Sequence, residues 1–441
     1  MSKKIGPMEE KSDVVIVGCG MAGSIAGLTA AREGLKVCIL ERKKKEFIGQ
    51  KICGELMPLQ MITWLRNEFD ITADHYPLKG LEFSTLSEHT AVFRSPSQHR
   101  LQVREPLCTI DRWKFGQLLV RKLEEKGVHV YKGIVKSPVI GNGCKGVKTK
   151  DSRTFLGTVT IDCSGINSIL HKSVSSYAIP SEKYVVAYKE ELVLENPIQL
   201  DYAVIFMDKK AIPSGYMWCF PKSEYTLNIG IGGVTIDKGS LKALLHKNLQ
   251  IHKAITVKER RKTGFGILPS GNPLPSMVYP GLLVCGDAAS QVNPLTGEGI
   301  APAMTAGYYA GTTAAQAVKN NDVSVKRMWQ YNYDFAAKYG VIITPLQVLK
   351  ELLLSLSGEE LAFLMEKVVT SKDLEGLETG DAAISWKRAI RLLTHWRRLP
   401  LLFRVYEAFK RMDKIRALYE QYPQTPDRFS AWEKELNSCL G

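Results

Sequence analysis

Three groups of residues combine types and spacings suited to chemistry. Gly18, Gly20 and Gly23 stand at G-x-G-x-x-G spacing, and Glu41 follows 23 residues after Gly18. Glycines so placed let a turn tighten, let a pyrophosphate approach the backbone and let a helix pack close on a strand. The acid can then accept hydrogen bonds from a ribose. The second group is Gly286-Asp287 with Gly299-Ile300 twelve residues further on. A carboxylate at a strand's end suits a chain of hydroxyls, and the free N–H groups of an opening helix suit a ring edge that gathers negative charge. The third is Tyr216, Trp218 and Phe220, alternating inside Pro213 to Pro221. Period two sends all three rings to one face of a strand. Cys53, in Lys51-Ile52-Cys53-Gly54-Glu55-Leu56, lies on a loop that returns toward the first group.

Particular elements must place these residues. Asp13 to Val17 reads as one buried parallel strand, followed by an Ala-rich helix ending near Gly34 and a second strand, Lys36 to Leu40, that delivers Glu41. Asp111-Arg112 opens an amphipathic helix ending near Gly127; His129 to Val135, Thr158 to Asp162 and Gly281 to Cys285 read as further strands. Leu81 to Phe93 reads as strands of another domain, and Lys183 to Ile267 as alternating strands that include Tyr202 to Met207 and Tyr225 to Ile231. Beyond about residue 330 the chain reads as helical and basic. The expected fold is α/β. Residues 1–75, 105–182 and 268–330 would form a discontinuous Rossmann-type nucleotide domain. Residues 76–104 and 183–267 would form an antiparallel β-sheet substrate domain, and 331–441 a helical C-terminal domain.

Composition narrows the partners. The 441 residues are 45% apolar and 24% charged, ordinary for a globular chain, but the formal net charge is +14. That excess favours an anionic partner, and no nucleic-acid recognition motif accompanies it, so nucleic acid is not expected. Nine cysteines without a C-x-x-C pair, and histidines without ligand spacing, signal no metal site. Dispersed thiols beside a dinucleotide fold suit the cytoplasm. Nothing reaches 18 continuous apolar residues, so no membrane span is expected. In the tail, Trp386, Ala389, Ile390, Leu393 and Trp396 share one helical face, and Lys387, Arg388, Arg391 and Arg398 the other, with Arg397 alongside. Such a helix is either a solvated basic face or a contact with anionic lipid at a membrane surface.

The second group favours FAD over NAD(P) as the dinucleotide, because it supplies partners for a ribityl chain and for a flavin's O2/N1 edge. With these motifs in place, the chain resembles the FAD-dependent geranylgeranyl reductase family, within a wider group that includes the aromatic flavin hydroxylases. The first glycine motif, Arg112 and Gly286-Asp287 with Gly299-Ile300 match the wider group. Tyr216-x-Trp218-x-Phe220-Pro221-Lys222 with Asn228-x-Gly230-x-Gly232 resembles the reductases' lipid-site signature, and Lys51-Ile52-Cys53-Gly54 their Lys-Pro-Cys-Gly element, with Ile52 where proline is usual. The tail resembles archaeal lipid-saturating members.

The resemblance implies a cofactor-binding set of Gly18, Gly20, Met21, Ala22, Gly23, Glu41, Cys53, Gly54, Leu56, Arg112, Val135, Asp287, Gly299 and Ile300. It also implies saturation of isoprenoid double bonds on a geranylgeranylated phospholipid, with electrons from an external donor such as ferredoxin or a reduced deazaflavin. Cys53, Tyr216 and Trp218 are the catalytic candidates. The rings could stabilise transient positive charge or simply wall an apolar tunnel; the thiol could aid proton transfer or serve as a small residue beside the flavin. Two other functions fit the same residues: a flavin hydroxylase or quinone side-chain reductase, and a lipid-binding protein whose FAD is structural.

Overall fold

The Glu9–Val17 strand is the axis of an eight-stranded sheet. The computed structural model describes residues 9–84, 101–103, 106–175, 184–209, 212–234, 238–250, 256–369 and 398–440. Val14, Val15, Ile16 and Val17 are all buried, as a β-branched run covered on both faces requires. Parallel to this strand run Val37–Glu41 and then His129–Lys132 on one side, and Thr154–Asp162 and then Leu282–Val284 on the other. Val278–Tyr279 and the Val135–Gly141 and Gly143–Thr149 pair add antiparallel edges. The strand expected over His129 to Val135 is therefore two. Gly133 donates its N–H to the Glu41 carbonyl at 2.9 Å, and the chain turns there into the hairpin.

Helix Met21–Arg32 follows the first strand at once, and helix Ile300–Lys319 packs along it. Their seam is backbone on backbone. A Cβ on Gly307 would lie 2.3 Å from the Ala22 carbonyl oxygen, and one on Gly311 would lie 2.7 Å from that of Ala26. The small-residue pattern of the second helix thus lets the start of the first pack at backbone distance on its Gly307–Gly311 stretch. Helix Arg112–Glu125 is capped by Asp111, which accepts the Lys114 N–H at 3.0 Å.

The second sheet has seven strands, in the order Val257–Pro269, Tyr184–Leu194, Thr226–Gly233, Gly215–Ser223, Tyr202–Phe206, Gly80–Ser84 and Leu101–Val103. It is antiparallel except where Gly80–Ser84 runs parallel to Tyr202–Phe206, because those two strands reach the sheet from distant parts of the chain. Of the strands expected over Leu81 to Phe93, residues 85–93 lie outside the described residues. One face of this sheet is buried under helix Lys238–Gln250, where Met217, Cys219, Leu227, Ile229 and Ile231 meet Leu241 and Leu245. The other face carries Trp218 and Phe220. A small sheet of Leu56–Pro58, Leu107–Ile110 and His75–Leu78 adjoins it, joined by the Thr109 hydroxyl donating to the Pro221 carbonyl at 2.6 Å.

Helices Val341–Ser355, Gly358–Phe363, Leu399–Glu420 and Phe429–Leu440 build a further core of Leu349, Leu352, Leu361, Val405 and Ile415 among others. Residues 386 to 397, which include most of the basic helix read from the sequence, lie outside the described residues; Arg398 immediately precedes Leu399–Glu420 and makes no side-chain capping hydrogen bond. Among the described residues no helix is long and apolar enough to cross a membrane.

Candidate active site

The glycine loop has the geometry its spacing implies. Gly18 adopts a φ of +101°, and a Cβ there would stand 2.3 Å from the Cys163 carbonyl oxygen. A Cβ on Gly23 would stand 1.9 Å from the carbonyl oxygen of Gly18. Gly20 differs: a Cβ there would meet nothing within 4 Å, so the start of helix Met21–Arg32 opens onto free space. That space is where a pyrophosphate would meet unsatisfied N–H groups. Glu41 is fixed at its border, its carboxylate accepting the Cys19 and Lys43 backbone N–H groups at 2.9 Å each.

The second group lies beside the glycine loop, a Cβ on Gly286 falling 3.3 Å from the Ala22 Cβ. Asp287 follows Gly286, whose φ is +66°, and its carboxylate takes the Lys51 ammonium at 2.5 Å. Burial pushes the Asp287 carboxyl up, but Lys51 and Arg112 outweigh burial and hold it below the usual carboxylate range. Gly299 begins helix Ile300–Lys319 without a side-chain cap, leaving its first N–H groups available. Arg112 is buried nearby. Its Nη1 lies 3.9 Å from the Cys53 sulfur, and its Nε has no hydrogen-bond partner. An unpaired buried guanidinium N–H on a cavity wall is a cost that an anionic or polar cofactor group would remove, so the residues present fit FAD.

Every residue of the expected binding set borders one cavity of ≈ 1710 Å³: Gly18, Gly20, Met21, Ala22, Gly23, Glu41, Cys53, Gly54, Leu56, Arg112, Val135, Asp287, Gly299 and Ile300. Tyr216 and Trp218 border it too. From the ring row the cavity continues over Leu346, Leu349, Leu353, Leu361, Val405 and Phe409 of the C-terminal helices.

The rings form a row. Tyr216 and Trp218 have centroids 6.3 Å apart, as do Trp218 and Phe220. Two glycines make room for them. A Cβ on Gly230 would lie 2.1 Å from the Trp218 indole, and one on Gly54 would lie 2.9 Å from the Phe220 ring. The Cys53 loop therefore lies directly against the row. Tyr216 donates its hydroxyl to the Thr296 carbonyl, tying the row to the turn that leads into Gly299. Burial pushes its phenol pKa well up, so at neutral pH it remains a neutral anchor.

Beneath the Cys53 loop lies a buried cluster that the sequence did not reveal as a unit. The Glu55 carboxylate receives Lys222 at 2.6 Å, Lys189 at 3.3 Å, Asn228 Nδ2 at 3.1 Å and the Arg112 backbone N–H at 3.2 Å. Lys222 also meets Glu191 at 2.8 Å, and Lys262 bridges Glu191 at 3.3 Å to Asp111 at 2.8 Å. Burial opposes the charge on Lys222, yet Glu55 and Glu191 raise its pKa above the usual range; burial opposes the charge on Glu191, yet Lys222 and Lys262 lower its pKa. Both remain charged at neutral pH. The sequence held one signal: Lys189-Glu190-Glu191 interrupts an otherwise apolar strand, and all three are buried.

The fold and the site together define a flavin-dependent oxidoreductase that binds FAD. Residues 13–201 match the family model for FAD dependent oxidoreductases, and residues 184–263 match the geranylgeranyl reductase catalytic domain. The digeranylgeranylglycerophospholipid reductase 1 of Methanococcoides burtonii is 31% identical over 80% of this chain and 86% of its own length. The digeranylgeranylglycerophospholipid reductase of Sulfolobus acidocaldarius is 27% identical over 98% of both chains. The chain belongs to the geranylgeranyl reductase family, enzymes that reduce carbon–carbon double bonds. A geranylgeranyl bacteriochlorophyll reductase-like protein from Thermoplasma acidophilum shares the fold, with a TM-score of 0.73 at 23% identity over 88% of this chain and 99% of its own. A flavin-dependent brominase shares it at a TM-score of 0.63 and 18% identity, over 88% of this chain and 99% of its own.

Replacing Glu41 with Ala is expected to weaken FAD binding about tenfold or more, since a hydrogen bond to a charged group contributes about 1.5–3 kcal/mol. Titration of flavin-free protein with FAD measures this; unchanged affinity would remove Glu41 from the ribose site.

Proposed function

We propose that this chain saturates the isoprenoid chains of a geranylgeranylated glycerophospholipid. The observation that carries the reading is the continuity of the cavity, from the glycine loop past the ring row and into the apolar C-terminal helices. Glu41 would hold the adenosine ribose, Gly18 to Gly23 the pyrophosphate, Asp287 the ribityl chain, and the helix beginning at Ile300 the flavin's O2/N1 edge. The bound flavin supplies a hydride.

An isoprenoid double bond carries no electron-withdrawing group, so proton addition must accompany or precede the hydride. Positive charge then develops on a tertiary carbon. The faces of Trp218 and Tyr216 stabilise it, each by about 0.5–2 kcal/mol of cation–π attraction. The apolar wall keeps out water that would trap the cation. Cys53, beside the rings, would handle the proton. Electrons reach the site from an external donor, ferredoxin or a reduced deazaflavin; anaerobic bleaching of the flavin by each separates them. The decisive test is mass spectrometry of digeranylgeranyl glycerophospholipid incubated with reduced enzyme. A gain of two hydrogens per double bond supports the reading, and unchanged lipid with oxygen-consuming turnover would replace it with a hydroxylase.

Contact with a membrane surface on the cytoplasmic side belongs to the same reading. Helix Leu399–Glu420 lines the cavity with Val405 and Phe409, while Leu399, Phe403 and Tyr406 are 44%, 64% and 42% exposed. Binding to acidic liposomes should fall with added salt, because charges further apart than about 8–10 Å are screened near physiological ionic strength. Phe403→Asp should reduce binding without altering the flavin spectrum. Undiminished sedimentation of this variant with liposomes would assign the surface elsewhere.

A further inference from the structure

We propose that Glu55 is the positioning residue of this site, fixing the loop that carries Cys53 and, through Asn228, the indole of Trp218. The inference rests on the reading of the cavity as a lipid-reducing site, and it concerns residues that reading leaves without a role.

Glu55 has a φ of +64°, a conformation that costs free energy for any residue with a side chain. What holds it there is visible. Its carboxylate takes two ammonium groups, an amide and a backbone N–H from three strands of the seven-stranded sheet and the start of helix Arg112–Glu125. Its own backbone faces the other way. The Glu55 carbonyl accepts the Ile110 N–H at 3.0 Å, and the Glu55 N–H points to the Cys53 sulfur at 3.3 Å. One residue therefore joins the sheet, the helix and the thiol.

Asn228 extends the arrangement. Its Nδ2 donates both to Glu55 Oε2 and to the Cys53 carbonyl at 3.0 Å, while its Oδ1 accepts the Trp218 indole N–H at 3.0 Å. An amide whose two ends are both engaged cannot flip without losing partners on either side. The thiol and the indole are thus set against each other through two buried side chains. A reaction that needs proton, hydride and an aromatic face to meet one double bond depends on that register.

A purely structural role would behave differently. Removing Glu55 outright leaves Lys222 with Glu191 alone and takes from Lys189 the carboxylate it meets, and an uncompensated buried charge commonly unfolds a domain. The test therefore uses Glu55→Gln and the charge-balanced pair Glu55→Gln with Lys222→Met. The readout independent of turnover is Cys53 itself. It is the half-buried thiol, whereas the other eight are buried, so iodoacetamide labels it first and peptide mass spectrometry reports the rate. In both variants labelling should run roughly fivefold faster than in wild type, as for a loop whose local opening has become easier. Reoxidation of reduced flavin by the lipid should slow about tenfold or more at unchanged lipid KM, in keeping with the cost of misplaced reacting groups. FAD content should match wild type.

Wild-type labelling and reoxidation in both variants would overturn the proposal. So would a parallel loss of FAD, melting temperature and activity with an unchanged labelling profile, the signature of a fold-stabilising cluster alone. If wild-type enzyme itself is not reoxidised by lipid, the substrate reading fails, and the labelling profiles still decide what Glu55 does to Cys53.

Discussion

Protein carrying Gly23→Ala is expected to emerge from purification without its yellow colour and with a lowered melting temperature. The added methyl would sit 1.9 Å from the Gly18 carbonyl oxygen, which is backbone and cannot swing aside. Either the turn opens or the helix Met21–Arg32 shifts, and overpacking of this kind costs about 1–3 kcal/mol. That is about 5- to 150-fold in FAD affinity if the whole cost falls on the bound state. Gly20→Ala makes the contrast. Its methyl meets nothing within 4 Å, so the flavin-free protein should melt as wild type does. Yet the methyl stands where the pyrophosphate must approach, so FAD binding should still fall. Calorimetry of both flavin-free proteins and FAD titration of each separate the two effects. Full FAD loading in Gly20→Ala would mean that the phosphates lie elsewhere.

Trp218→Ala is expected to slow lipid-dependent flavin reoxidation about tenfold or more, while FAD binding changes little. Loss of a cation–π contact contributes about 0.5–2 kcal/mol to the barrier, and the hole left over Gly230 lets the isoprenoid chain sit in more than one place. Met217→Ala, one residue away on the other face, should lower stability by about 2–5 kcal/mol and leave the per-molecule rate intact. The two substitutions remove neighbours in sequence, so their opposite signatures test the alternation of the strand as well as the role of the ring. Stopped-flow reoxidation and thermal melts distinguish them. Normal turnover in Trp218→Ala would reduce the row to a tunnel lining.

What the sequence disclosed follows from the range of the interactions involved. The nucleotide half was legible because its signals are local: a β-branched run, glycines at fixed offsets and an acid one strand later all act within about 30 residues. The period-two placement of Tyr216, Trp218 and Phe220 was legible for the same reason, since a strand fixes alternation without reference to anything else. The buried cluster was not. Glu55, Lys189, Glu191, Lys222 and Asn228 come from a loop and three strands, and only pairing of those strands converts isolated charges into a neutral set. The break at Gly133 and the parallel pair of Gly80–Ser84 with Tyr202–Phe206 were missed on similar grounds, because each depends on where a distant strand lands.

The seam between helices Met21–Arg32 and Ile300–Lys319 bears on how the enzyme acquires its cofactor. On the proposed reading one helix begins where the phosphates would lie and the other where the ring edge would lie, and the carbonyls of Ala22 and Ala26 leave no room for a methyl on Gly307 or Gly311. Two rods pressed together at backbone distance behave as a caliper with a fixed jaw: the span between phosphate and ring edge would be set before the cofactor arrives. FMN, with the same ring and one phosphate, would meet both jaws but lack the adenosine that Glu41 would hold, and FAD, gripped along its whole length, would be slow to exchange. The cell's supply of FAD during synthesis, rather than its later concentration, would then govern how much working enzyme accumulates.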